Sequence, residues 1–367
     1  MKHRSLVLLI VVCCLPLPLP AQEQPSLSAA TVGNLEKAIT SYMSTNNVPG
    51  LSMAVVENGA LVWQNGYGLA DLENFVPVKA DTVFRLASVS KPITATAIMQ
   101  LYEKGKIDLD APIQKYCPAF PQKPWPITTR ELLGHLGGIR WYKEDEWLST
   151  RHYDSMTESL KIFAGDPLVA PPGTKFTYTT YGYTVLGCVL EGASGEKYVD
   201  YVQKSIFAPA GMDHTQVDDV HKIILNRAQG YQKSKNGEIW NSDLAETSYK
   251  TPGGGWVSTA GDMARFAIAL ESDTLLKPQT RELMWTIQKT SDGKETGYGL
   301  GWGVSNDMGF RIVGHEGGQQ RVATALALAP EKKMAVVVLC DLEGAGPLDF
   351  AKQLLKALSD SAARMQH

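Results

Sequence analysis

The sequence predicts an α+β fold: an antiparallel β-sheet flanked by N- and C-terminal helices, with an inserted, mostly helical lobe. Three observations carry that prediction. β-prone runs cluster near both ends of the chain, helical patterns bracket them, and the long stretch between is helix and loop. Strands gathered in this way pair antiparallel and bury one face against helices. The expected layout is an α/β lobe from residues 30–95 and 255–367 and a helical lobe over 96–254, with a ligand crevice between them.

The elements follow in order. Leu35 to Met43 reads as part of an amphipathic helix. Gly50-Leu-Ser-Met-Ala-Val-Val and Ala60-Leu-Val-Trp-Gln flank Asn58-Gly59, the strongest short hairpin signal. Ile93, Ala97, Ile98 and Leu101 give a helical period that ends near Gly105. Towards the other end, Arg311–Gly314, Val322–Ala329 and Met334–Asp341 read as strands, and Leu348–Leu358 as a closing helix.

Ahead of this domain, residues 1–21 read as an export signal. Lys2, His3 and Arg4 precede the apolar run Ser5–Leu15, and the chain turns polar after Ala21. An uncleaved N-terminal anchor is the alternative, because Leu19 stands where cleavage prefers a small residue. The expected location is secreted or periplasmic, with membrane contact only through such an anchor. A net charge of −3 gives no basic footprint for nucleic acid, so the expected partner is a small-molecule or peptide substrate. Cys13 and Cys14 lie in the leader. Cys117, Cys188 and Cys340 remain, an odd number without metal-like spacing, and are expected to be thiols.

Ser-x-x-Lys occurs three times. Ser194-Gly-Glu-Lys197 and Ser291-Asp-Gly-Lys294 sit in polar, glycine-containing stretches that read as turns. Ser88-Val-Ser-Lys91 instead opens the helical segment, with Pro92 in its first turn, where a missing N–H costs nothing. Residues three apart share a helix face, so the Lys91 amine can reach the Ser88 hydroxyl. A serine hydroxyl needs such a base, and a lysine serves once burial or positive neighbours lower its pKa. A Ser N-cap beside a surface lysine is the bland alternative.

Other patterns point elsewhere less well. No Gly-x-Ser-x-Gly elbow occurs, and His315-Glu316 lacks the second histidine of a zinc-protease helix. The seven histidines are scattered along the chain without a ligand cluster, so no metal and no cofactor are expected. His135 reads as a hydrogen-bonded structural histidine and Gly253-Gly254-Gly255 as a tight turn beside the crevice. Trp141, Tyr142 and Trp147 read equally as pocket lining or as packing between lobes.

Four further segments resemble the superfamily of penicillin-binding proteins and serine β-lactamases. Pro172-Gly-Thr-Lys-Phe-Thr-Tyr178-Thr-Thr180-Tyr-Gly-Tyr183 is similar to the stretch that carries the catalytic tyrosine of class C β-lactamases, DD-peptidases and related esterases. His315-Glu316-Gly317-Gly318 resembles the family's third motif, Lys/His-Thr-Gly. Glu131 to Arg140 and Thr251 to Asp262 match structural signatures of the same superfamily, and His135-Leu-Gly-Gly-Ile-Arg140 resembles its LACTB-like serine hydrolases.

The resemblance implies a serine hydrolase working through an acyl-enzyme on a peptide, a D-amino-acid peptide or a small ester. Ser88 would be the nucleophile, with Lys91 and Tyr178 as proton partners. His315 would orient Tyr178 or a substrate carboxylate. The N–H groups of Ser88 and Gly318 would form the oxyanion hole. Thr180 stands where the family carries an asparagine that binds the substrate's acylamino group. Glu316 replaces a threonine and would bring negative charge towards the substrate carboxylate. Both departures argue against efficient β-lactam hydrolysis. The alternatives are a catalytically weak ligand-binding protein and a true β-lactamase.

Overall fold

A computed structural model describes residues 26–144 and 146–365. The export signal expected over residues 1–21, with Cys13 and Cys14, lies outside them. Seven strands form the main sheet: β1 (Gly50–Glu57), β2 (Ala60–Asp71), β3 (Val76–Pro77), β4 (Gly303–Ser305), β5 (Ile312–Gln319), β6 (Val322–Ala329) and β7 (Met334–Cys340). Their spatial order is β3-β2-β1-β7-β6-β5-β4, and every neighbouring pair is antiparallel. The two ends of the chain therefore meet at the β1–β7 pair, with Leu51 opposite Cys340 and Val56 opposite Ala335.

β1, β6 and β7 are buried along almost their whole length, yet their side chains still alternate between two cores. Ala54, Val56, Leu326, Leu328, Val337 and Leu339 face one core, while Leu51, Met53, Val55, Val336 and Val338 face the other. The second core is closed by α1 (Ala29–Asn46), through Leu35 and Ile39, and by α5 (Pro347–Met365), through Ala351, Leu354, Leu355 and Leu358. The alanines at 323, 325, 327 and 329 of β6 keep that face shallow where α5 packs across it. The first core is closed by α2 (Ser90–Glu103) and α4 (Ala260–Glu271). The predicted hairpin forms at Asn58-Gly59, both with positive φ (52° and 73°), as a type I′ turn requires.

Between α2 and α4 the chain is mostly short helices and loops around α3 (Thr180–Ser194). A small second sheet pairs Phe84–Arg85 and Gln216–Val217 with Trp256–Ser258, tying both ends of this insertion together.

One expectation is corrected. Cys117 and Cys188 form a disulfide with Cα atoms 5.4 Å apart, leaving Cys340 as the free cysteine among the described residues. The 71-residue separation hides the pairing in the sequence, because only the packing of α3 beside the Ile113–Lys115 turn brings the sulfurs together. The strand read as ending at Gly314 also runs on to Gln319. Gly317 belongs inside it, since a Cβ there would lie 2.5 Å from the Leu86 carbonyl oxygen.

Candidate active site

Ser88 sits in a single 3₁₀ turn, Ala87–Val89, that leads directly into α2. The turn is fixed from three sides. The Leu86 N–H donates to Trp256 O at 2.8 Å, the Thr324 hydroxyl donates to Leu86 O at 2.8 Å, and β5 lies alongside. Ala87 has φ +47°, a left-handed conformation that costs a non-glycine residue about 1–2 kcal/mol. The bare backbone of Gly317 leaves room for its methyl group. Ser88 itself is partly exposed, whereas Ser90 to Leu101 of α2 are all buried.

Lys91, one turn along, is completely buried. Its Nζ lies 2.9 Å from Ser88 Oγ, 2.9 Å from the Gly253 carbonyl and 3.3 Å from Thr180 Oγ1. No carboxylate pairs with it among the described residues. Burial drives its pKa well below the ordinary lysine value, and the positive charge of Lys250 pushes the same way. Lys250 is only 3% exposed and likewise has no ion-pair partner among the described residues. It lies 5.4 Å and 5.7 Å from the ring centres of Tyr249 and Tyr142. Burial, with Arg85 second, pushes it down to about 7.

Tyr178 arrives from the inserted segment. Thr177 N–H donates to His135 O, Thr179 N–H donates to His135 Nδ1 at 3.2 Å, and Thr179 Oγ1 donates to Arg140 O at 2.7 Å. His135 is thus the hydrogen-bonded peg beneath the tyrosine, its ring 4.3 Å from that of Tyr178. The Lys91 Nζ lies 4.8 Å from the Tyr178 ring centre. Desolvation raises the phenol's pKa, and the hydrogen bond with Ser88 opposes it. Burial is the largest influence, so the phenol stays protonated.

His315 lies on β5 with its ring 6.2 Å from that of Tyr178. Its Nδ1 is 2.6 Å from Glu316 O, which can only accept, so Nδ1 carries the proton. The Nε2 then accepts from the Tyr298 hydroxyl at 2.8 Å. Burial, reinforced by Lys91, holds the imidazole neutral by lowering its pKa to about 3. Tyr178, Tyr298, Gly303, Gly314, His315, Glu316 and Leu348 line a cavity of about 300 Å³.

Glu316 is exposed and lines that cavity together with Leu348. Desolvation, the largest influence, raises the Glu316 pKa. The glycine run is a short helix, Thr251–Gly254, that presents the Gly253 carbonyl to Lys91. Gly318 is exposed, one residue beyond the Gly317–Leu86 contact, with open space where a side chain would stand. Thr180 opens α3 and accepts from Lys91. Trp141 stands at the cleft edge, its ring 5.7 Å from that of Tyr178, and Tyr142 packs inward on Tyr181 and Tyr249.

Sequence reasoning missed Tyr298 and Lys250. Tyr298 lies in Gly297-Tyr-Gly-Leu-Gly-Trp302, whose glycines around aromatics mark close backbone packing. Lys250 is a single lysine inside the otherwise uncharged Thr247–Val257 stretch. The histidines also do not stay scattered, because His152 and His221 meet beside Glu246.

Comparison with known proteins places the chain in a family. The human mitochondrial serine beta-lactamase-like protein LACTB is 30% identical over 406 aligned residues, covering 81% of this chain and 74% of that one. Penicillin-binding protein 4* of Bacillus subtilis is 29% identical, over 83% of this chain and 70% of its own. The octameric penicillin-binding protein homologue from Pyrococcus abyssi superimposes with a TM-score of 0.78 at 28% identity, over 90% of this chain and 77% of that one. The beta-lactamase family model matches residues 35–360, so this chain belongs to the beta-lactamase family and is a serine hydrolase.

Proposed function

We propose that this chain is an exported hydrolase that cleaves an amide or ester through an acyl-enzyme on Ser88. The observation that carries the reading is the 2.9 Å approach of a fully buried, carboxylate-free Lys91 amine to the Ser88 hydroxyl. A neutral amine has two hydrogens and one lone pair. Gly253 O and Thr180 Oγ1 take the hydrogens, which leaves the lone pair for the Ser88 proton. Lys91 is then the first base, and Tyr178, whose phenol burial keeps protonated, serves as the donor to the leaving group.

In the acylation step, Ser88 Oγ bonds to the substrate carbonyl carbon as its proton passes to Lys91. The N–H groups of Ser88 and Gly318 hold the oxyanion. Collapse expels the amine or alcohol, which takes a proton from Tyr178, and Tyr178 recovers one from Lys91. Water attacks the ester by the reverse relay and frees the acid. Neutral His315, fixed by Tyr298, presents an uncharged wall to the substrate.

Export is supported by the leader-like residues 1–21 and by the Cys117–Cys188 disulfide, which persists in oxidising compartments. Among the described residues no helix is long and apolar enough to cross a membrane. Incubation with a fluorophosphonate, read by intact mass, tests the nucleophile. One adduct in the wild type and none in Ser88→Ala is the expected result. Turnover of a p-nitrophenyl ester panel should fall by several orders of magnitude in the same variant. An undiminished adduct in Ser88→Ala refutes the assignment.

Thr180 favours a second reading, a weakly catalytic binder of penicillin-like ligands, because its side chain lacks the amide donor and is already engaged with Lys91. Ligand binding without ester turnover would select it. Nitrocefin hydrolysis is expected to be weak or absent.

A further inference from the structure

Away from the Ser88 cleft, three loops converge on one point. His152 comes from the stretch before the Met156–Leu160 helix, His221 from the segment after Gln216–Val217, and Glu246 from the approach to the Ser248–Lys250 turn. One donor atom from each lies within 4.8 Å of the others. His152 Nδ1 is 3.6 Å from Glu246 Oε1, and the two imidazole rings meet edge-on with centres 6.0 Å apart.

The carboxylate is the informative member. Glu246 is 1% exposed, and its Oε1 accepts the Thr247 and Ser248 N–H groups at 3.0 and 2.9 Å. Its Oε2 is buried and has no partner among the described residues. A buried carboxylate oxygen without a donor is costly, and buried charges are normally paired or bound to metal. No lysine or arginine forms an ion pair with Glu246 among the described residues; each histidine brings a ring nitrogen within 4.8 Å of a carboxylate oxygen, His152 approaching Oε1.

We propose that His152, His221 and Glu246 form a binding site for a divalent transition-metal ion of the zinc type. Two imidazoles and one carboxylate suit zinc and its borderline neighbours far better than calcium or magnesium, which prefer all-oxygen shells. Metal–ligand bonds of about 2.0–2.1 Å place tetrahedral ligands about 3.4 Å apart. Both histidines are exposed and can swing the small remaining distance around the fixed carboxylate. With Nδ1 of His152 on the metal, its Nε2 lies 3.7 Å from Asp154 Oδ1, the outer carboxylate that commonly steadies a ligating histidine. His221 is held in its loop by its N–H donating to Asp219 Oδ1 at 2.9 Å.

The role that follows is a clamp. The Glu246 N–H already donates to Ser149 O, and the Tyr153 N–H donates to Ser248 Oγ, each at 2.9 Å. A bound ion adds a third and stronger tie between the 149–153 loop and the segment that runs on to Lys250 and Gly253. The two residues that touch or bias Lys91 would thereby be steadied from outside the cleft.

The test uses the full chain, stripped with chelator and dialysed, then titrated with Zn²⁺ alone by calorimetry and followed by thermal denaturation. Expected are one Zn²⁺ at this site with micromolar or tighter affinity and a Tm rise of several degrees at a hundredfold excess over Kd. Affinity should fall at least tenfold in His152→Ala and in His221→Ala, both exposed positions where folding is not at risk. Glu246→Gln keeps an oxygen for the two backbone N–H groups and should also weaken binding. Cobalt should bind and give visible d–d absorption that both histidine variants lose. Absence of saturable zinc binding, binding unchanged in both histidine variants, or equal affinity for Mg²⁺ would each overturn the proposal. None of these readouts depends on the nucleophile assignment.

Discussion

Opening the Cys117–Cys188 bond should destabilise the protein by an amount the fold lets us work out. The bond closes a loop of 71 residues, and loop-closure entropy at that length is about 15 cal/mol/K, or about 4.4 kcal/mol at 25 °C. For a chain of 367 residues the unfolding entropy near Tm is about 0.8 kcal/mol/K, so the expected fall in Tm is about 6 °C. Two perturbations separate entropy from packing. Reduction keeps both buried sulfurs in place, whereas the Cys117→Ala/Cys188→Ala pair removes them and adds a small cavity cost. Urea unfolding of the oxidised, reduced and double-alanine proteins gives the three stabilities, with m compared alongside. The reduced form should lie about 4 kcal/mol below the oxidised one and the double variant slightly lower. Peptide mapping after alkylation in denaturant without reductant should label the buried Cys340 and spare Cys117 and Cys188. Free alkylation of those two, or a Tm that reduction leaves unchanged, would refute both the bond and the export argument built on it.

Four further outcomes are expected. Tyr178→Phe removes the proton donor proposed for the leaving group while leaving the ring on His135, so kcat/KM should fall about 10²–10⁴-fold with the circular dichroism spectrum unchanged. Lys250 titrates at about 7 in the folded chain against 10.5 ordinarily, so the unfolded chain binds the extra proton between those values and stability rises with pH across that window. Below about 7 the Lys250 charge holds Lys91 down; Lys250→Met should therefore move the acid limb of kcat/KM to higher pH, and an unmoved limb would sink that coupling. Tyr298→Phe leaves His315 Nε2 buried without a donor, which should cost about 1–3 kcal/mol in urea unfolding.

The sheet was legible because its signals are local. Asn58-Gly59 fixes a turn by backbone sterics, and β-prone apolar runs mark strands whatever lies elsewhere in the chain. The Ser88–Lys91 pair was legible for the same reason, since three residues of helix set its geometry. Tyr178 was found only through resemblance, because nothing within its own segment states that it meets a serine 90 positions earlier in the chain. What stayed hidden depends on distant packing. Lys250 reads as an ordinary surface charge until two tyrosines enclose it. His152 and His221 are 69 positions apart and meet only because both loops pack against Glu246.

The same packing explains how Thr180 can occupy the position where the family resemblance implies an asparagine. Its hydroxyl is short enough to lie against the Lys91 amine at 3.3 Å while its methyl group packs towards Gly253. An asparagine there would extend into the space where Tyr142 approaches Thr180 and Tyr249. Acyl-group recognition and lysine burial thus draw on the same few cubic ångströms. In this chain that space goes to keeping Lys91 buried, the condition its proposed role as base requires. Trp141, exposed at the cleft edge 5.7 Å from the Tyr178 ring, offers an apolar surface there instead of an amide. On that argument Thr180→Asn gains penicillin acylation only by letting water reach Lys91, so any gain should come with a Lys91 acid limb moved to higher pH.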